Sequence, residues 1–322
     1  MMLMNMVGAL NNALSQILAE NPNAIIMGED VGKDGGVFRV TDGLQAKFGP
    51  GRVMDTPLAE SMIIGTAIGM ALSGMRPIAE VQFAGFMYMG YDQIVNHAAR
   101  YRSRTRSAMS VPMIVRTPIS GGVRTLEHHS DSPETLYAHI GGLVVLEPST
   151  PYDAKGLLIA AAHGNDPVIF LEPTKLYRLF KQDVPEEMYE VPIGKANLVA
   201  QGESLTIVTH GTMVPMVKSV VEKKKVSADI IDLRTISPLD EQAILDSAKK
   251  TGRVVIVHEA PLSFGPGAEI AARIAEKAIF ELQAPIVRVA SGSFPYPFPA
   301  YETYYMPNEQ RIGKAIDKVL QA

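Results

Sequence analysis

The sequence predicts an α/β protein built from two parallel-sheet domains. Short β-branched runs alternate with helical patterns from end to end, the signature of stacked βα units. The alternation breaks once, in the acidic and irregular stretch "KQDVPEEMYEVPIGKANLVAQGES", and then restarts. A chain of 322 residues with 47% apolar composition is also long enough for two cores of ordinary domain size. The expected division is a first domain over residues 1–185, a linker over 186–204 and a second domain over 205–322.

A helical period over Met4–Glu20 opens the first domain, followed by a strand at Ala24–Gly28. Thr56 then Pro57 reads as a helix start, with the Thr hydroxyl capping free amides and Pro in the first turn, so Leu58–Leu72 is expected to be helical. Further strands are expected at Ile78–Phe83, Met113–Arg116, Leu143–Leu146 and Val168–Leu171, with helices at Asp92–Arg104 and Tyr152–His163. The second domain runs "LTIVTHG", a helix from about Met213, "ADIIDLRTI", a helix from Leu239, "RVVIVHEA", a helix from Gly267, "PIVRVAS" and a last helix from Asn308.

Composition removes several functional classes. The net charge of −4 and pI near 6.0 give no positive field for a polyanion, so nucleic acid is not expected as a partner. No Lys or Arg precedes Lys33, so the segment lacks the basic head of a secretory signal, and a cytoplasmic protein is expected. Cysteine is absent, which excludes disulfide frameworks, thiolate metal sites and cysteine nucleophiles. The longest apolar run, Ser61–Met75, falls short of the roughly 20 residues that a membrane span needs, so no membrane is expected. Gly65 and Gly69 form a stripe of small residues on it, suited either to an intersubunit contact or to packing within the domain.

Glu60 heads this apolar segment. A capping box would place the acid at position 59, which is Ala, so capping explains Glu60 poorly. Its bland role is a favourable interaction with the helix dipole; its functional role is a proton-holding carboxyl in an apolar cleft. "EHHSDS", residues 127–132, puts His128, His129, Ser130 and Asp131 in one loop, either a polar surface turn or an acid–base loop. "RYRSRTR", residues 100–106, reads as the cationic end of a helix, and "GKDGG", residues 32–36, as a turn without phosphate-loop continuation. His258 and Glu259 in "HEAPLSFGPG" fall at a strand's carboxyl end, as ligands or as a satisfied buried pair.

In order along the chain, "GEDVG", "DTPLAE", "IAEVQFAGFMYMGYDQIVNHAA", "HHSDSPE", "VVLEPSTPYDAKGLL", "DPVIFLEP", "IDLRTISPLD" and "HEAP" resemble the β subunit of the decarboxylating component of 2-oxoacid dehydrogenase complexes. The resemblance implies a pyrimidine-binding domain of thiamine-diphosphate enzymes followed by a transketolase-type C-terminal domain. It implies an α₂β₂ heterotetramer with thiamine diphosphate, oxidative decarboxylation of a 2-oxoacid, and acyl transfer to the lipoyl domain of a dihydrolipoyl acyltransferase core. "FLEPTKLYR" and "HEAP" look closer to branched-chain members than to pyruvate ones. An acetoin-cleaving relative and a non-catalytic scaffold subunit are the alternatives.

By the same resemblance, Glu60 hydrogen-bonds a ring nitrogen of the aminopyrimidine and promotes the tautomer that deprotonates the thiazolium. Phe86 stacks against that ring, Leu58 makes an apolar contact, His129 assists acyl transfer, and Glu29 is an acidic position near the cofactor. The family anchors the diphosphate through Mg²⁺ with Gly-Asp-Gly and a downstream Asn, and no Gly-Asp-Gly occurs here. The α subunit is therefore expected to hold the diphosphate and Mg²⁺, and no residue of this chain is assigned to a metal. Some members bind K⁺ near the "DPVIF" block, where Gly164 stands at the expected acidic position.

Overall fold

The computed structural model describes all of residues 1–322. Its strands are β1 Met2–Met4, β2 Ala24–Gly28, β3 Val53–Asp55, β4 Arg76–Glu80, β5 Ile114–Ile119, β6 Val144–Leu146, β7 Val168–Pro173, β8 Gln182–Val184, β9 Asn197–Ala200, β10 Leu205–Thr209, β11 Ala228–Asp232, β12 Thr235–Ser237, β13 Val254–Pro261 and β14 Val287–Ser291. The helices are α1 Met6–Glu20, α2 Leu44–Phe48, α3 Glu60–Leu72, α4 Tyr101–Arg104, α5 Glu134–Ala138, α6 Pro151–His163, α7 Met213–Lys224, α8 Glu241–Thr251, α9 Pro266–Ala278, α10 Glu302–Tyr305 and α11 Glu309–Leu320.

The first sheet has the order β12-β6-β7-β5-β4-β2-β3 and is parallel except for β12, which runs antiparallel to β6. The second has the order β14-β13-β10-β11-β9 and is parallel except for β9. Apolar side chains from α1 and α6 cover one face of the first sheet, with Leu10, Leu14, Leu157 and Phe170 fully buried. Helices α7 and α11 cover the outer face of the second. Between the sheets lies one continuous core in which α3 residues Ile63 and Ile64 share a cluster with Ile244, Ile256 and Ile270. Each such side chain contributes roughly 1.5–3 kcal/mol on burial, so this shared layer holds the halves together.

Helix starts follow local chemistry. Asn5 accepts from Gly8 N–H at 2.9 Å, Thr150 from Asp153 N–H at 3.1 Å with Pro151 in the first turn, and Asn308 from Arg311 N–H at 2.9 Å. The first helix begins at Met6 because Met2–Met4 pairs antiparallel with β8. "ADIIDLRTI" is not one strand. Arg234 takes a left-handed turn, φ 59°, and sends β12 to the edge of the first sheet while β11 stays in the second. The expected helix Asp92–Arg104 divides into a wide π-type turn at Gln93–Ala98 and the short α4. The segment 186–204 contains β9, the antiparallel edge of the second sheet.

Candidate active site

The carboxyl ends of β3, β2, β4 and β5, neighbours in the first sheet, carry the sequence-predicted site residues. Glu29 follows β2, Leu58 and Glu60 follow β3, Phe86 follows β4, and His129 sits in the loop after β5. Ligands of open α/β sheets gather at such ends.

Glu60 is the first residue of α3 and is half-buried. The expected Thr56 cap is not made: Ala59 holds the cap position without a side-chain bond, and Thr56 Oγ1 is buried without a partner. Instead the Thr56 N–H donates to Gly28 O at 2.9 Å, tying the β3–α3 turn to the end of β2. That tie brings Glu60 beside Glu29. Burial first, then the negative charges of Asp30 and Glu60, raise the Glu29 carboxyl above the usual carboxylate range.

The turn after β4, Ala84–Gly90, packs its backbone on the Glu127–His129 turn. Gly85 permits this, since a Cβ there would overlap the His128 carbonyl oxygen. His129 is thereby turned inward, its ring centroid 4.2 Å from Phe83 and 5.4 Å from Phe86, both edge-on. Its Nδ1 is buried without a hydrogen-bond partner. The neighbouring polar residues diverge: His128 is exposed, Ser130 donates to Leu126 O at 3.1 Å, and Asp131 accepts from Tyr88 at 3.2 Å. The loop is gripped from the second domain. Glu259 accepts from Gly121 N–H and from Ser132 Oγ at 3.3 Å, and Glu302 accepts from Gly122 N–H at 2.9 Å.

Beneath the strand ends, Arg116 is 1% exposed and is bound by Glu172 at 2.7 and 2.9 Å and by Glu80 at 2.6 Å. Tyr177 donates to the same Glu172 at 2.6 Å. Burial raises the Glu172 carboxyl, with Arg116 opposing. Sequence reasoning passed over this network; the available signal was a lone Arg inside the apolar strand "MIVRTPI". Of the other expected pair, Glu259 is hydrogen-bonded as described, whereas His258 is buried without a partner. Burial, then His210, holds its imidazole neutral, lowered to about 3.

The strand-end site is open on one side. Leu58 is 70% exposed, and Met89, in the turn that packs on the Glu60 backbone, is 69% exposed. A separate cavity of about 280 Å³ between the domains, lined by Tyr88, Asp131, Glu259 and Tyr305, includes none of Glu60, Phe86 or His129. Aromatic edges, a half-exposed carboxyl and an orphaned imidazole nitrogen suit a flat, weakly basic heterocycle. They offer nothing to a diphosphate.

Comparison with known proteins shows the family. Residues 3–179 match the pyrimidine-binding domain of transketolase, and residues 194–312 match the transketolase C-terminal domain. The pyruvate dehydrogenase E1 component subunit beta of Acholeplasma laidlawii is 50% identical over 100% of this chain and 99% of its own length. That of Bacillus subtilis is 47% identical over 99% of each. The chain belongs to the pyruvate dehydrogenase E1 β-subunit family. This makes it a subunit of an enzyme of the 2-oxoacid dehydrogenase class, with the two transketolase-type domains that the sequence predicts. A split-gene transketolase, described as an inactive beta4 tetramer, superposes with a TM-score of 0.79 at 21% identity, covering 99% of this chain and 98% of its own. It shares the fold. Glu60, Glu29, Phe86 and His129 all lie in the segment matched by the pyrimidine-binding domain. No helix is long and apolar enough to cross a membrane.

Proposed function

We propose that this chain supplies the pyrimidine half of a thiamine-diphosphate site shared with an α subunit in an α₂β₂ enzyme. The enzyme oxidatively decarboxylates a 2-oxoacid and passes the acyl group to a lipoyl domain of its acyltransferase core. The observation that carries this reading is the convergence of Glu60, Glu29, Phe86 and His129 on adjoining strand ends, with one side open and no diphosphate cradle. The α subunit holds the diphosphate and Mg²⁺. A K⁺ ion near Gly164 lacks support, because that position has no side chain to offer. Relatives named for pyruvate, at 47–50% identity, favour pyruvate over the branched-chain acids suggested by "FLEPTKLYR".

Thiamine diphosphate, when bound, supplies the nucleophilic carbon and the electron sink for loss of CO₂. The chain's own part is to orient the ring and manage its protons. Phe86 presents its ring to the heterocycle and Leu58 covers an apolar edge. Glu60 shares a proton with a ring nitrogen, and Glu29 beside it has its own carboxyl raised by burial and by the charges of Asp30 and Glu60. His129, with Nδ1 free in an aromatic pocket, gives or takes a proton at the acyl group.

The test is Glu60→Gln in the enzyme reconstituted with its α partner. Turnover is expected to fall by roughly 10²–10⁴-fold, the usual worth of a positioned acid–base group, with assembly unchanged in the ultracentrifuge. Turnover close to that of the parent would sink the assignment. Pyruvate, branched-chain 2-oxoacids and acetoin offered side by side, with products identified, decide the substrate.

A further inference from the structure

We propose that Glu134, Glu147 and His210 form a binding site for a divalent transition-metal ion of the Zn²⁺ or Mn²⁺ class at the joint between the two domains. Glu134 begins α5, Glu147 follows β6, and His210 follows β10. The first two belong to the first sheet's side of the molecule, the third to the second sheet. All three are buried: Glu134 is 1% exposed and the others 3%. One ligand atom from each lies within 4.8 Å of the other two, a span that side chains sharing one ion adopt.

The group is not a satisfied ion-pair network. His210 Nδ1 approaches Glu147 Oε2 at 3.0 Å, but Nε2 stands 3.9 Å from Glu134 Oε1, beyond hydrogen-bond range. Neither oxygen of Glu134 has a hydrogen-bond partner, although buried carboxyls almost always find one. The backbone is shaped around the cluster as well. Gly211 takes a left-handed φ of 53°, and a Cβ there would overlap Glu147 Oε1, so only glycine lets that carboxylate reach its place.

The donor set fixes the class of ion. Two carboxylate oxygens and an imidazole nitrogen are borderline ligands that suit Zn²⁺ or Mn²⁺, whereas Ca²⁺ and Mg²⁺ prefer oxygen alone and thiolate sites need cysteine, which the chain lacks. Asp232, Glu259 and His258 surround the set, the His258 ring lying parallel to His210 at 6.4 Å between centroids. A divalent ion held by all three residues bridges α5 and the end of β6 to the end of β10.

The experiment uses the full chain, stripped with chelator and titrated with Zn²⁺ by calorimetry. Mn²⁺ is followed in parallel by electron paramagnetic resonance. One ion per chain is expected, with competition between the two metals and a higher unfolding temperature in metal than in chelator. Glu147→Gln and His210→Gln should each weaken binding by roughly 100-fold or more. If these variants do not fold, the parent decides alone: coupling of Mn²⁺ to an imidazole nitrogen supports the site. No stoichiometric ion in the parent, or equal affinity in folded variants, overturns it and leaves a His210–Glu147 contact beside Glu134.

Discussion

At the residue scale, the placement of His129 depends on a position that carries no side chain. Gly85 lets the Ala84–Gly90 turn lie flat on the His128 carbonyl, and the inward face of His129 follows from that contact. Gly85→Ala should cost about 1–3 kcal/mol, the usual range for overpacking, and should slow acyl transfer to a lipoyl domain more than decarboxylation with an artificial acceptor. Denaturant unfolding and the two partial rates measure both effects; equal slowing would detach His129 from the acyl step. Glu60 stood out in the sequence as a carboxylate heading an apolar segment, and it sits half-buried as the first residue of α3. Its closeness to Glu29 was not legible there, because it arises from the hydrogen bond between Thr56 and Gly28, made only once β2 and β3 pair.

At the element scale, β5 is tied to its neighbours by charge as well as by its ladder. Arg116 on β5 reaches Glu80 on β4 and Glu172 on β7, all nearly inaccessible to water. Removing the cation strands two buried carboxylates, so Arg116→Met should destabilise by about 3–5 kcal/mol, read from the urea midpoint. A change below 1 kcal/mol would mean that the carboxyls take up protons without penalty.

The end of α6 is fastened differently. His163 bonds Glu190 at 2.6 Å and Glu20 at 2.9 Å, and these hydrogen bonds raise its pKa above the usual imidazole value. The folded state therefore binds that proton more tightly than the unfolded chain. The stabilisation is complete below about pH 6.5 and is lost as pH rises through the elevated folded value. The unfolding-temperature gap between parent and His163→Gln should close as pH rises above about 6.5, and should narrow in high salt because the group is partly exposed. A gap that widens with pH contradicts the assignment. Parallel strands buried on both faces advertise themselves as β-branched runs, so most of the sheets were legible. Pairings such as Arg116–Glu172 or His210–Glu147 join residues far apart in sequence and leave no local mark.

At the scale of the whole molecule, the open side of the strand-end site sets what this chain can do alone. Thiamine diphosphate with Mg²⁺, titrated into the isolated chain, should give weak or no heat; tight binding would show that no partner is needed. On the α3 stripe, a Cβ on Gly65 would touch the Gln93 side chain at 3.8 Å, whereas one on Gly69 would meet nothing within 4 Å.

The outermost strand of the first sheet, Thr235–Ser237, arrives from the second half of the chain. On a ribosome, the nascent N-terminal portion therefore waits with the apolar edge Val144–Leu146 unpaired until translation passes Ser237. Cutting the gene between its two family segments would release an N-terminal fragment with that edge unpaired and its share of the inter-sheet core exposed.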